Sequence, residues 1–129
     1  MAAQTLRVLV VDDDHDTVDS TKMVLEIWGY HPIGAYDGET ALALAAEHQP
    51  HVVLFDLAMP GLHGYDFARR LRALPTMHDA LLICVSGYKQ NEERAAEAAC
   101  DIHFLKPFPT DELERILAER AATLRNGRS

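Results

Sequence analysis

The sequence predicts an α/β protein in which a parallel β-sheet is covered by helices on both faces. Short apolar runs rich in β-branched residues recur along the chain, and longer amphipathic stretches separate them. No internal repeat or low-complexity linker interrupts this alternation. Continuous apolar runs are typical of strands that are buried on both faces. Strands that alternate with helices therefore predict a parallel sheet with right-handed crossover connections.

Five segments are predicted strands because each is short, mostly apolar and bounded by polar or turn-forming residues. They are Arg7–Val11, His31–Ala35, Val52–Phe55, Leu81–Val85 and Ile102–Leu105.

Five helices are predicted between and after these strands. The first begins at a cap supplied by Asp14 or Asp16, places Val18 and Leu25 on one side, and stops near Gly29. The others are an alanine-rich helix around Ala41–Ala46 bounded by Gly38 and Pro50, then Tyr65–Leu74, Glu92–Ala99 and Thr110–Leu124.

The net charge, the lengths of the apolar runs and the cysteine content argue against several classes of function. The net charge of -8 and pI of about 5.2 argue against direct binding of nucleic acid or an anionic membrane surface. The longest wholly apolar run, Ala41–Ala46, is far too short to cross a bilayer, and no apolar segment near the start resembles a signal peptide. A cytoplasmic location is therefore expected, with Cys84 and Cys100 as reduced thiols.

Polar residues end four of the predicted strands. They are Asp12, Asp13 and Asp14 after the first strand, Asp56 after the third, Ser86 after the fourth and Lys106 after the fifth. In a parallel sheet these ends meet at one edge, where ligands bind. A single polar residue there is ordinary turn chemistry, but four compatible strand ends indicate a site.

The residue types at that edge suit phosphoryl chemistry. Asp56 suits a nucleophile or a metal ligand, and with Asp12 and Asp13 it offers hard oxygen ligands for a small divalent cation such as Mg²⁺. Lys106 supplies a compact positive charge and Ser86 a hydroxyl, which together can hold phosphoryl oxygens. The predicted site accepts a phosphoryl group onto a carboxylate.

Four segments, VLVVDDD, VVLFDLAMPGLHG, CVSGY and FLKPF, occur in an order and spacing that resemble the response-regulator receiver domain of two-component signalling. The resemblance runs from about Leu6 to about Leu124 and implies a single domain over residues 1–129. It also implies a flavodoxin-like, doubly wound (βα)5 fold with strand order 2-1-3-4-5.

The resemblance also implies a role for each site residue. Asp56 would be the phosphoacceptor, and Ser86 and Lys106 would bind the phosphoryl oxygens. Mg²⁺, or Mn²⁺, would be held by Asp13, Asp56 and the backbone carbonyl of Ala58, with Asp12 acting largely through water. The donor would be a sensor histidine kinase or a histidine phosphotransfer protein, and the output a phosphorylation-dependent change in binding to a protein that the sequence does not identify. Such a domain catalyses only its own phosphorylation and dephosphorylation.

Several features of the motifs leave choices open. Asp13 and Asp14 could form the acidic pair, although Val11 directly before Asp12 favours Asp12 and Asp13. His103 stands where many receivers carry Tyr or Phe; it is either a surface histidine or a switch residue that responds to pH together with Ser86.

Further expectations concern the residues around the acceptor. Ala58 and Tyr88 flank the phosphoryl position and predict slow self-dephosphorylation, unless Tyr88 is exposed and inert. The resemblance predicts a cis peptide bond at Lys106–Pro107.

Two alternative functions remain at this stage. One is a receiver-like module that binds proteins whatever its phosphorylation state. The other is a phosphatase of the haloacid dehalogenase type, which would carry a second acid where this chain has Ala58.

Overall fold

The computed structural model describes residues 5–58, 64–87, 100–107 and 110–125. The strands are β1 (Arg7–Val11), β2 (His31–Ala35), β3 (Val52–Asp56), β4 (Leu81–Ser86) and β5 (Ile102–Leu105). The helices in the described ranges are α1 (His15–Ile27), α2 (Gly38–His48), α3 (Gly64–Ala73) and α4 (Thr110–Arg125), with a short 3-10 helix at Pro75–Met77.

The five strands form one parallel sheet in the order β2-β1-β3-β4-β5. This confirms the predicted fold class and strand order. Val11 pairs with Phe55, and Asp56 pairs with Val85, so the carboxyl ends of β1, β3 and β4 lie side by side. That alignment brings the polar residues of three strand ends to one edge.

Two apolar clusters, one on each face of the sheet, form the core. One cluster packs Leu9, Val11, Val53 and Phe55 of the sheet against Phe67 and Leu71 of α3 and against Ala41 and Ala45 of α2. The other packs Val8, Val10, Leu54 and Ile83 against Val18 and Leu25 of α1 and Leu113 and Leu117 of α4. Alternate residues of each central strand serve opposite faces, as burial on both sides requires.

Helix α1 begins after Asp14, which resolves the choice between two caps. The Asp14 carboxylate accepts hydrogen bonds from the Asp16 amide at 3.1 Å and from the Thr17 hydroxyl at 2.8 Å. The helix ends before Gly29, whose φ of 92° lies in the left-handed region that glycine adopts readily. Asp14 is thus engaged in capping rather than in the acidic pair.

The structure lengthens two predicted strands by one residue each. Asp56 and Ser86 belong to β3 and β4 because their backbones still pair with neighbouring strands. The predicted helix Glu92–Ala99 lies outside the described residues. In the parts that are described, no helix is long and apolar enough to span a membrane.

Candidate functional site

Two buried carboxylates form the base of the site. Asp12 directly follows β1 and Asp56 ends β3, and each is only 6% exposed. The Oδ1 atom of Asp12 accepts a hydrogen bond from the Asp14 amide at 3.0 Å, and Oδ1 of Asp56 accepts one from the Ala58 amide at 2.9 Å. Each strand end therefore fixes its own carboxylate through a turn two residues long.

Lys106 brings a positive charge to the second oxygen of both carboxylates. Its Nζ atom donates to Oδ2 of Asp56 at 2.7 Å and lies 3.9 Å from Oδ2 of Asp12. The backbone amide of Lys106 donates to the Ser86 carbonyl at 2.8 Å, which ties the end of β5 to β4. The Lys106–Pro107 peptide bond is cis, as predicted.

Asp13 completes a group of three acids. One carboxylate oxygen from each of Asp12, Asp13 and Asp56 lies within 4.8 Å of the others, with Asp13 exposed and the other two buried. The structure thus brings together Asp12 and Asp13, and this group does not include Asp14. Three hard oxygen donors, one of them open to solvent, fit a small divalent cation that keeps part of its water shell.

The electrostatics of the site favour the binding of a cation. Burial raises the pKa of Asp12 to about 6, and the charge of Asp56 adds to this effect, although the Asp14 amide and Lys106 oppose it. Burial alone would lower the pKa of Lys106, but its hydrogen bond to Asp56 and the nearby carboxylate charges raise it overall. The three carboxylates therefore carry more negative charge than the one ammonium can balance. This excess of negative charge favours the binding of a divalent cation.

The crevice over these groups is small. A cavity of about 40 Å³ is lined by Asp12, Asp56, Lys106 and apolar residues of β1, β3 and β4. Ala58 beside it is exposed.

Ser86 and His103 form a contact that the sequence did not predict. The Ser86 side chain is buried, and its Oγ atom lies 2.8 Å from Nε2 of His103. Strand pairing places Cys84 opposite His103 and Ser86 opposite Leu105, so His103 reaches forward along the sheet to Ser86. His103 is half-buried on the edge strand β5, and its role as a switch residue stays a prediction.

The other ring nitrogen of His103, Nδ1, is buried. It makes no hydrogen bond to the residues that the structure describes. A buried ring nitrogen that stays without a partner costs about 1 to 3 kcal/mol.

Two remaining expectations have different outcomes. Cys84 and Cys100 form no disulfide in the described residues, and their reduced state stays a prediction. Tyr88, the predicted cover of the acceptor, lies outside the described residues.

Comparison with known proteins agrees with this geometry. The family model described as the response regulator receiver domain matches residues 8–118. The virulence sensor protein BvgS of Bordetella bronchiseptica is 37% identical over 125 residues, covering 92% of this chain and 10% of BvgS. The transcriptional regulatory protein PrrA of Mycobacterium tuberculosis is 35% identical over 123 residues, covering 91% of this chain and 52% of PrrA.

Solved structures give the same result. A CheY-like response regulator receiver domain protein from Methanospirillum hungatei superposes with a TM-score of 0.84 at 27% identity, covering 96% of this chain and 99% of that one. The chain therefore belongs to the response regulator receiver domain family, a class of signalling domains in two-component systems. The chain spans about half of the length of PrrA and about a tenth of the length of BvgS.

Proposed function

We propose that this receiver domain accepts a phosphoryl group on Asp56 and signals through the change that follows. The observation that carries the proposal is the position of Asp56: a buried strand-end carboxylate whose Oδ2 is held 2.7 Å from the Lys106 ammonium, beside Asp12 and Asp13. Of the three grouped acids, Asp56 alone ends a strand at the middle of the sheet and contacts Lys106 at hydrogen-bond distance. It is the carboxylate best placed as nucleophile.

The acidic group supports a metal role for the same residues. Asp13, Asp56 and the carbonyl of Ala58 would hold Mg²⁺ or Mn²⁺, and Asp12 would contribute largely through water. A bound divalent cation neutralises charge on an incoming phosphoryl group. The donor chemistry of the three carboxylates supports this assignment.

In the transfer step, a carboxylate oxygen of Asp56 forms the new bond to phosphorus. The bond from phosphorus to the donor imidazole nitrogen breaks, and that nitrogen keeps the electron pair. Lys106 then stabilises the charge on the phosphoryl oxygens, which it reaches without moving far from Asp56. Ser86 supplies a hydroxyl, whose Oγ atom lies 2.8 Å from Nε2 of His103.

The proposed donor is a sensor histidine kinase or a histidine phosphotransfer protein. The relative BvgS is itself called a sensor protein, which is consistent with such a pairing. The output is a binding event with a protein that neither the fold nor the site identifies. The two free thiols support a cytoplasmic setting.

The test is intact mass spectrometry after incubation with acetyl phosphate, with and without Mg²⁺. The wild type is expected to gain about 80 Da, the mass of one phosphoryl group on a single carboxylate, only when Mg²⁺ is present. Asp56→Asn is expected to gain nothing. Asp14→Asn is the matched control, because Asn also caps helices well and Asp14 is engaged in the cap of α1.

A phosphorylation-independent binding module makes the opposite prediction. It would show no adduct in the folded wild type, and no change in its NMR spectrum when beryllofluoride and Mg²⁺ are added. An adduct that persists in Asp56→Asn would place the acceptor elsewhere and overturn the proposal.

A further inference from the structure

A second cavity lies at the opposite edge of the sheet, where the strands begin. Its volume is about 220 Å³, several times that of the crevice over Asp56. Arg7 at the start of β1, His51 just before β3 and Arg120 of α4 all line it. None of these residues belongs to the site at the carboxyl edge.

Backbone carbonyls fix two guanidinium groups of this cavity in place. Arg7 donates from Nε and Nη2 to the carbonyls of His48 and Gln49 at the end of α2. Arg120 donates from Nη2 to the carbonyl of Asp79. Within the described ranges, neither guanidinium forms an ion pair with a carboxylate, and Nη1 of each makes no hydrogen bond. Such cations are ready to bind an anion without rearrangement.

His51 is held as a neutral ring in the same cavity as the two guanidinium groups. Its Nδ1 accepts a hydrogen bond from the Arg7 backbone amide at 2.9 Å, so the neutral ring carries its hydrogen on Nε2. Burial lowers the pKa of His51, and the charges of Arg7 and Arg120 lower it further. Asp79 contributes the one carboxylate among the described lining residues, so positive charge is in excess.

The rest of the lining combines an apolar surface with two hydroxyls and the amide of Gln49. Leu6, Pro50, Ala80 and Leu124 supply the apolar surface, and Thr76 and Thr123 the hydroxyls. An engineered apolar cavity of about 150 Å³ accommodates benzene. A cavity of about 220 Å³ therefore has room for a ring of that size with one small polar group attached.

We propose that this cavity binds a small monocarboxylate with a compact apolar body, of the size and shape of benzoate. The carboxylate lies toward Arg7 and Arg120, and the apolar body lies against Leu6, Pro50 and Leu124. Charge complementarity selects an anion, and the limited volume selects a small one. The site is independent of Asp56 and of phosphoryl transfer.

The experiment is an NMR titration of the wild-type protein at neutral pH with benzoate, benzamide and acetate. Benzoate is expected to give saturable shifts of the His51 ring and of the Ala80 and Thr123 amides, with a dissociation constant of about 1 mM or tighter. Benzamide, which has the ring without the charge, is expected to bind at least about tenfold more weakly. Acetate, which has the charge without the ring, should be weaker by a similar factor of about ten.

Variants locate the binding. Arg120→Gln should weaken benzoate about tenfold, since it removes a charged donor. Arg115→Gln is the matched control, because Arg115 lies on the same helix and pairs with Glu119 outside the cavity. Thr76→Trp, at an exposed position of the lining, should block the cavity and provides a second test if Arg120→Gln does not fold.

Three results would overturn the proposal. One is the absence of saturable shifts at about 20 mM benzoate, far above the expected dissociation constant. Another is binding of benzamide or acetate as tight as that of benzoate. The third is unchanged benzoate affinity in both Arg120→Gln and Thr76→Trp.

Discussion

The two edges of the sheet carry opposite charge. At the carboxyl edge, the buried Asp12 and Asp56 and the exposed Asp13 face one lysine around a crevice of about 40 Å³. At the amino edge, Arg7, Arg120 and His51 line a cavity of about 220 Å³ that includes one carboxylate in its described lining. The same backbone therefore presents excess negative charge at one end, where we propose a cation site, and excess positive charge at the other, where we propose an anion site.

The fold determines where side chains come together at each edge, and the types of side chain determine what each edge can bind. At the carboxyl edge, each buried acid is fixed by an amide two residues ahead. At the amino edge, cations are fixed by carbonyls at the end of a helix and in a loop. At each edge, a variant that replaces one residue of the site can be compared with a control variant whose substitution lies outside that site.

The largest effect is expected from Lys106→Met. Removal of the ammonium that contacts Asp56 should slow phosphorylation by acetyl phosphate about a hundredfold, because a fixed donor to the phosphoryl oxygens is lost. Lys22→Met is the control. Lys22 belongs to α1, where its side chain packs beside Gly34 of β2, and it is not part of the acidic group. The rate of adduct formation by mass spectrometry measures both; equal rates in the two variants would contradict the role of Lys106.

Mg²⁺ is expected to stabilise the fold through the acidic edge. At ten times its dissociation constant, it should raise the free energy of unfolding by about 1.4 kcal/mol. Asp13→Asn should lose most of this gain, whereas Asp16→Asn, an exposed acid in the first turn of α1, should keep it. Urea denaturation with and without Mg²⁺ makes the comparison, and a gain retained in Asp13→Asn would remove Asp13 from the ligand set.

Ser86 is expected to couple the site to His103. Ser86→Ala should lower the free energy of unfolding by about 1 kcal/mol, because a buried hydrogen bond is lost. Beryllofluoride with Mg²⁺ should shift the His103 ring resonances in the wild type and in Ser86→Thr, which keeps a hydroxyl, but not in Ser86→Ala. The same shift in all three proteins would show that Ser86 is not the link.

The smallest effect concerns pH at the amino edge. The pKa of His51 is lowered in the folded protein, so the unfolded chain binds the proton first as the pH falls through the ordinary histidine pKa of 6.5. The contribution of His51 to stability is therefore present above that pH and is lost as the pH falls.

The matched variant is His51→Asn, which can still accept the Arg7 amide hydrogen bond. Between about pH 7 and about pH 5, the wild type should lose more free energy of unfolding than this variant. Identical pH dependence of urea denaturation in the two proteins would contradict the account.

The strand ends at the carboxyl edge could be predicted because each carries its signal locally. VLVVDDD shows both a buried strand and its terminal acids, and the strand alternation alone places Asp56 and Lys106 at the same edge. The contact between Ser86 and His103 could not be predicted in this way, because it depends on the β4–β5 register and on the reach of the imidazole.

The amino edge was missed for a different reason. Arg7 begins a predicted strand and His51 directly precedes another, so a signal was present at the strand beginnings. The third member, Arg120, lies on α4, and its position depends on how that helix packs against the sheet. Sequence spacing gives no measure of that packing.

The most direct measurement is the chemical identification of the phosphorylated residue. After incubation with acetyl phosphate and Mg²⁺, borohydride reduction converts an aspartyl phosphate to homoserine, which peptide mass spectrometry can locate. If Asp56 is the acceptor, homoserine is expected at position 56 and aspartate at positions 12, 13 and 14. Homoserine at any of those three positions, with Asp56 unchanged, would contradict the assignment of Asp56 as the acceptor.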